Sequence, residues 1–145
     1  MLGNTGIMPN NLLGEPDLNP AGFFTHPAGT VLPSMMSPTF LLREGKVAAA
    51  LGSAGSERIR SAIVQVVLNL LDGMSPQDAV SASRIHWDGS TVQVEPVDQH
   101  VIEALKNTTN KPVNHWKEQN LYFGGVQLVA PEGGGADPRR GGAVA

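Results

Sequence analysis

The segment with the clearest chemical potential is Gly52-Ser-Ala-Gly-Ser-Glu-Arg58, which links an apolar run, Val47–Leu51, to a strongly periodic stretch. Glycines at such a junction let the backbone approach a ligand. Unpaired N–H groups and the dipole at a helix start favour an anion or a developing oxyanion. The same residues also make an ordinary tight turn, because short glycine motifs are permissive. The spacing leaves both readings open. No Gly-Lys-Ser/Thr follows, so the segment is not a nucleotide-phosphate loop.

Other reactive side chains are less organised. Ser34-Met-Met-Ser-Pro-Thr39 places hydroxyls on a loop entering a strand, but no Gly-x-Ser-x-Gly surrounds them, and turn hydrogen bonding is their ordinary role. His26, His86, His100 and His115 lack metal-ligand spacing. A Ser-His-Asp triad assembles in space, so the sequence does not exclude one. Glu15 and Asp17 lie in a Gly/Pro-rich loop, where a carboxylate is either solvated or, if the loop is ordered, able to grip an ammonium group. Cysteine is absent, which removes disulfides, thiolate metal sites and a Cys nucleophile together. Neither a metal nor a cofactor is expected.

The net charge of −3 opposes a nucleic-acid partner, since phosphate binding needs clustered Lys and Arg. No apolar run approaches the roughly 18–20 residues of a membrane span. The start, Met1-Leu-Gly-Asn, has neither the basic nor the apolar region of a signal peptide, and the compartment stays open.

The 145 residues suit one domain. Residues 1–38 are so punctuated by Gly and Pro that no helical or strand period survives, yet Phe23, Phe24, Leu32, Met35 and Met36 favour an ordered loop that packs on something. Thr39–Leu42 and Val47–Leu51 around Glu44-Gly45 predict a hairpin. Ile59, Ala62, Ile63, Val66, Val67, Leu70 and Leu71 form one helical face, ended by Gly73. Ser75-Pro76-Gln77-Asp78 opens a short helix to about Ser83. Ile85–Trp87 and Thr91–Glu95 read as a second hairpin, 98–107 as a third helix with Val101, Ile102 and Leu105 inward. Tyr122–Phe123 and Val126–Val129 read as a last strand region, and 133–145 as a glycine-rich tail. The order predicts an α+β fold: a mixed antiparallel sheet with helices on one face and the other face left for a partner.

Taken together, Asn10-Asn11-Leu-Leu-Gly-Glu15, Ser34-Met-Met-Ser-Pro-Thr39, Gly52-Ser-Ala-Gly-Ser-Glu-Arg-Ile59 and Ala136-Asp-Pro-Arg139 occur in the order seen in the small subunit of γ-glutamyltransferases, which the whole chain resembles. Tyr122-Phe-Gly-Gly-Val-Gln127 suits that family's penultimate strand. The resemblance implies an αββα sandwich of the N-terminal-nucleophile hydrolases, self-cleavage into large and small chains, and γ-glutamyl transfer or hydrolysis with glutathione a typical donor. It implies that Glu15 holds the donor's α-amino group, with Asn11 in the same motif. By the same resemblance Ser34 falls where a serine helps bind the α-carboxylate, and Gly55 and Ser56 fall on the pair whose amides form the family's oxyanion hole. Met35 stands where a second serine is frequent and Ser56 where a second glycine is frequent, so related cephalosporin acylases stay in view.

The family's nucleophile is a Thr whose own α-amine acts as base. The segment carrying it precedes Gly3-Asn-Thr-Gly-Ile7 in the family, and Thr5 is internal, so no catalytic residue is assigned here and the chain alone is expected to be inactive. The implied partners are the large subunit, or N-terminal portion, of the same precursor and a small γ-glutamyl substrate. Members are often periplasmic or extracellular. The alternative is a non-catalytic interaction module that self-associates through its open sheet face.

Overall fold

In the computed structural model, Glu44 and Gly45 both take positive φ, 52° and 76°. That is the primed turn whose twist matches a hairpin. It joins β1 (Thr39–Arg43) to β2 (Lys46–Ala54). The structure describes residues 3–10, 12–19 and 21–144. The chain divides into two units, Met1–Met35 and Met36–Ala145.

The second unit holds the sheets. β2 pairs antiparallel with β6 (Gly125–Ala130), and β6 with β7 (Gly133–Ala136), giving the order β1-β2-β6-β7. α1 (Arg58–Leu71) packs on β2 and β6 through Ile59, Ala62, Ile63 and Val66, against Ala49, Leu51, Val126 and Leu128. Leu71, expected on the same face, is 69% exposed at the helix end. Gly73, at φ +88°, then stops the helix.

α2 (Pro76–Ser81) is capped by Ser75, whose Oγ accepts from the Asp78 amide at 3.1 Å. It ends two residues before the expected Ser83, because Ala82 is already extended and leads the chain into β3. β3 (Ile85–Trp87) and β4 (Val92–Val94) form the second hairpin. Asp88 closes it by accepting from the amides of Ser90 and Thr91 at 2.9 and 2.8 Å. A hydrogen bond from the Gln93 side chain, followed by those from the two amides, depresses the Asp88 pKa well below the carboxylate range.

β5 (Val113–His115), which the sequence analysis did not anticipate, runs parallel to β4 and completes a three-stranded sheet. α3 (Gln99–Thr108) lies between β4 and β5 in the chain and buries Ile102. Val101 and Leu105 are half-buried.

Two expectations near the C-terminus need correction. Leu121–Phe123 is a 3-10 turn rather than strand, capped by Asn120, whose side chain accepts from the Tyr122 amide. The glycine-rich tail contains β7. Gly133 takes a positive φ of 138°, whereas Gly134 and Gly135 are there for closeness. A Cβ on Gly135 would stand 2.4 Å from the Pro76 carbonyl oxygen, and one on Gly134 would stand 2.8 Å from Val144 Cγ1. Only side-chain-free strand fits between α2 and the C-terminal segment.

α1 and α2 therefore cover one face of the four-stranded sheet, while α3 packs on β5. On the other face of the four-stranded sheet, the row Phe40–Ala50–Val129 crosses three strands. Phe40 and Val129 are 64% and 68% exposed there.

In the first unit, 3-10 turns span Leu12–Gly14 and Pro16–Leu18. Buried Asn19 donates from its side chain to the carbonyls of Leu12, Leu13 and Glu15. One amide thus orders a loop that has no periodic pattern.

Candidate functional site

β2 ends at Ala54 and α1 begins at Arg58, so Gly55-Ser56-Glu57 must reverse the chain in three residues. Gly55 has φ +129° and Ser56 φ +54°, followed by Glu57 in the right-handed helical region. A left-handed residue before a right-handed one turns successive N–H groups into one concavity, an anion-binding nest. The carbonyls of Gly55 and Ser56 accept the first bonds of α1, from Arg58 and Ile59, at 3.0 Å each. Among the described residues, the amides of Gly55, Ser56 and Glu57 donate no hydrogen bond. With the dipole of a 14-residue helix behind them, they suit a carboxylate or a tetrahedral oxyanion.

Ser56 carries two local costs. A non-glycine residue at that φ is disfavoured by about 1–2 kcal/mol. Its Oγ is buried without a hydrogen-bond partner.

The turn leans on the chain at 121–124. Arg58 Nε donates to the Tyr122 carbonyl at 3.1 Å, and its guanidinium lies 5.0 Å from the Tyr122 ring centroid. Trp116 stacks on the Tyr122 ring, with the centroids 5.2 Å apart. The sequence names Arg58 and Tyr122 only as members of two separate motifs, and one basic residue at a helix start gives no signal of a carbonyl 64 residues away.

Behind the turn lies a buried ionic cluster. Arg84 donates to Asp137 at 2.6 Å, and the Asp137 carboxylate also accepts from the Val126 amide at 2.8 Å. Arg139 donates to Asp137 at 3.1 Å and to both oxygens of Glu95. Burial alone would raise the Asp137 pKa, but the Val126 amide and the Arg84 charge outweigh it and hold the pKa below the usual range. Burial works against the charge on Arg139 too, yet Glu95 raises its pKa. Arg84 is lowered, first by burial and then by Arg139. Arg84 also donates to the Phe123 carbonyl, and Glu95 accepts from the Asn120 amide, so the cluster anchors both ends of the 120–123 turn.

Ser61 Oγ lies 2.8 Å from His86 Nδ1. It does not make a triad: His86 Nε2 is buried with no partner, so no carboxylate orients the ring. Burial and then the Arg58 charge lower the His86 pKa, favouring the neutral ring. Among the described residues, no group of three or more His, Asp and Glu gathers to hold a metal ion.

Of the residues assigned to substrate, Glu15 is half-buried at the start of the Pro16–Leu18 turn, which its side chain does not cap. Ser34 is exposed and Met35 half-buried in the same first unit. Asn11 lies outside the described residues. Gly55 and Ser56 belong to the second unit.

The chain matches the family profile described as Gamma-glutamyltranspeptidase over residues 1–145. This chain belongs to the γ-glutamyltranspeptidase family. It is 34% identical over 133 residues to the "Acylase ACY 1 proenzyme" of Pseudomonas sp. strain SE83, covering 89% of this chain and 23% of that protein. It is 29% identical over 157 residues to the "Glutathione hydrolase proenzyme" of Escherichia coli K12, covering 94% and 26%. The chain thus spans about a quarter of the length of these curated relatives. Among solved structures, the T380A mutant of Helicobacter pylori γ-glutamyltranspeptidase superimposes with a TM-score of 0.72 at 26% identity, covering 96% of this chain and 84% of that one. A cephalosporin acylase from Bacillus halodurans gives 0.63 at 28% identity, covering 73% and 21%.

The α+β architecture is therefore part of the N-terminal-nucleophile-hydrolase sandwich of γ-glutamyltranspeptidases. No helix among the described residues is long and apolar enough to cross a membrane.

Proposed function

We propose that this chain contributes the oxyanion-binding turn and part of the donor pocket to a γ-glutamyl-transferring or γ-glutamyl-hydrolysing enzyme. The observation that carries the reading is the Gly55-Ser56-Glu57 nest with its uncommitted amides, in a chain of the γ-glutamyltranspeptidase family. Attack on a γ-glutamyl carbonyl puts negative charge on its oxygen. Donors already fixed by β2 and α1 stabilise that charge without reorganising. Glu15 receives the donor's α-ammonium, and Asn11 belongs to the same sequence motif. Ser34 receives the α-carboxylate, and Met35 lines that subsite with a thioether where a hydroxyl is frequent.

The nucleophile, in this reading, comes from the remaining portion of the precursor, and the chain alone turns nothing over. Support comes from its share of the length of relatives named proenzymes, and from the exposed Phe40–Ala50–Val129 row. A second β-layer packed on that row would remove apolar surface from water at about 25 cal/mol per Å2.

Co-expression of the chain with the remaining precursor portion, scored by release of a γ-glutamyl anilide, tests the reading. Turnover by the assembly and none by the chain alone is expected. An assembled, self-cleaved complex that ignores γ-glutamyl anilides but cleaves a glutaryl anilide would move the substrate class to cephalosporin-type acyl groups. A non-catalytic module that self-associates is the competing class. It predicts an inactive assembly and, by light scattering, a stable oligomer of this chain alone.

A further inference from the structure

Gly55 and Gly124 are locked together backbone to backbone. A Cβ on Gly55 would stand 2.6 Å from the Cα of Gly124, and a Cβ on Gly124 would stand 2.6 Å from the Ala54 carbonyl oxygen. Real Cβ atoms do not approach that closely, so Gly124 excludes a side chain on Gly55, and Ala54, the residue before Gly55, excludes one on Gly124. Gly124 has φ +80° and follows the 121–123 turn, whose carbonyls are gripped from two sides. Arg58 holds the Tyr122 oxygen and Arg84 the Phe123 oxygen. Gly124 is itself buried, and its amide donates to Leu121 at 3.1 Å.

We propose that Gly124 is a positioning residue for the oxyanion donors, the surface that sets where the Gly55 and Ser56 amides stand. The inference rests on the oxyanion reading of that turn. Gly55 and Ser56 sit in a left-handed conformation that local sequence does not favour for Ser, so something outside the turn must hold it there. Gly124 fills the space into which Gly55 would relax, and the two carbonyl grips keep Gly124 from yielding. A shift of a few tenths of an ångström at this contact moves two donors together, and oxyanion hydrogen bonds are steep in distance. Substrate binding through Glu15 and Ser34 does not use this contact.

The test compares Gly124→Ala with Gly89→Ala in the assembled enzyme. Gly89 has φ +97° and nothing within 4 Å of its Cβ position, so its Ala variant has the backbone cost without the collision. Gly124→Ala is expected to lower kcat by about 100-fold, the scale of one lost oxyanion donor. KM should barely move, and affinity for a boronate mimic of the tetrahedral intermediate should fall in proportion to kcat. Gly89→Ala should leave all three values unchanged. If Gly124→Ala fails to assemble, Arg58→Lys replaces it. That variant removes the grip on Tyr122 without a clash, and the expected result is again a kcat loss with unchanged KM. Wild-type kcat in whichever of these two variants assembles overturns the proposal. A structure with the boronate bound separates the two failures: if its oxygen is not within hydrogen-bond distance of the Gly55 and Ser56 amides, the oxyanion reading falls. If it is there while kcat is unaffected, only the role of Gly124 falls.

Discussion

Arg84 Nη2 and the Asp137 carboxylate meet at 2.6 Å across 53 residues of chain, both almost without solvent exposure. Arg84 enters from the start of β3 and Asp137 from the end of β7, so the pair ties the smaller sheet to the larger. Its energetic meaning depends on completeness. A buried pair with its hydrogen bonds satisfied is close to neutral against an apolar replacement, whereas half a pair is strongly destabilising.

Asp137→Ala should therefore cost about 3–5 kcal/mol, because it removes the ion-pair partner of the buried Arg84. The double variant Arg84→Met, Asp137→Ala should lose clearly less than the sum of the single losses. Urea unfolding of all four proteins gives the coupling. Additivity within about 0.5 kcal/mol would show that the contact contributes nothing specific.

Gly135→Ala tests whether β7 is a packed strand. Its Cβ would meet the Pro76 carbonyl oxygen at 2.4 Å and the Pro76 carbonyl carbon at 2.9 Å, so α2 must move. A loss of about 1–3 kcal/mol is expected from overpacking. Thermal unfolding unchanged from wild type would mean that α2 does not lie on that strand.

Ser56→Gly should stabilise the protein. Relief of the left-handed backbone is worth about 1–2 kcal/mol, and removal of the unpartnered buried hydroxyl adds to it. The greater freedom of Gly in the unfolded chain takes back about 0.4–1 kcal/mol. A net gain of about 1 kcal/mol in chemical denaturation is the expected balance, and a loss would show that the hydroxyl has a stabilising partner. The amide donor is retained, so kcat in the assembled enzyme should hold.

His86 makes stability pH-dependent. Its pKa is lowered on folding, so the unfolded chain binds the proton more readily. The contribution is complete above the unfolded value, about 6.5. It declines as pH falls from there toward the folded pKa. The urea midpoint of the wild type should drop between pH 8 and pH 5.5 by more than that of His86→Gln. An NMR titration of the ring with a midpoint at or above 6.5 would refute the prediction. Asp88 and Asp137, whose pKa values are also lowered, act in a separate window: their contributions hold above about pH 4 and fail in stronger acid.

Local pattern by itself determined the β1–β2 hairpin, α1 with its Gly73 stop, the Ser75 cap and the β3–β4 hairpin, because those signals are contained within a few residues. Ordered motifs determined the family and pointed to Gly55 and Ser56. The tertiary structure decided the rest. β7 and β5 exist because neighbouring strands supply their ladder bonds, and Gly133–Ala136 has no apolar alternation to announce it. Arg84, Glu95, Asp137 and Arg139 look solvent-bound in the sequence because the Arg84–Asp137 and Glu95–Arg139 pairs join residues tens of positions apart. Gly124 has the same character: its role is the empty space beside Gly55, and a sequence records residues but not the distances between them.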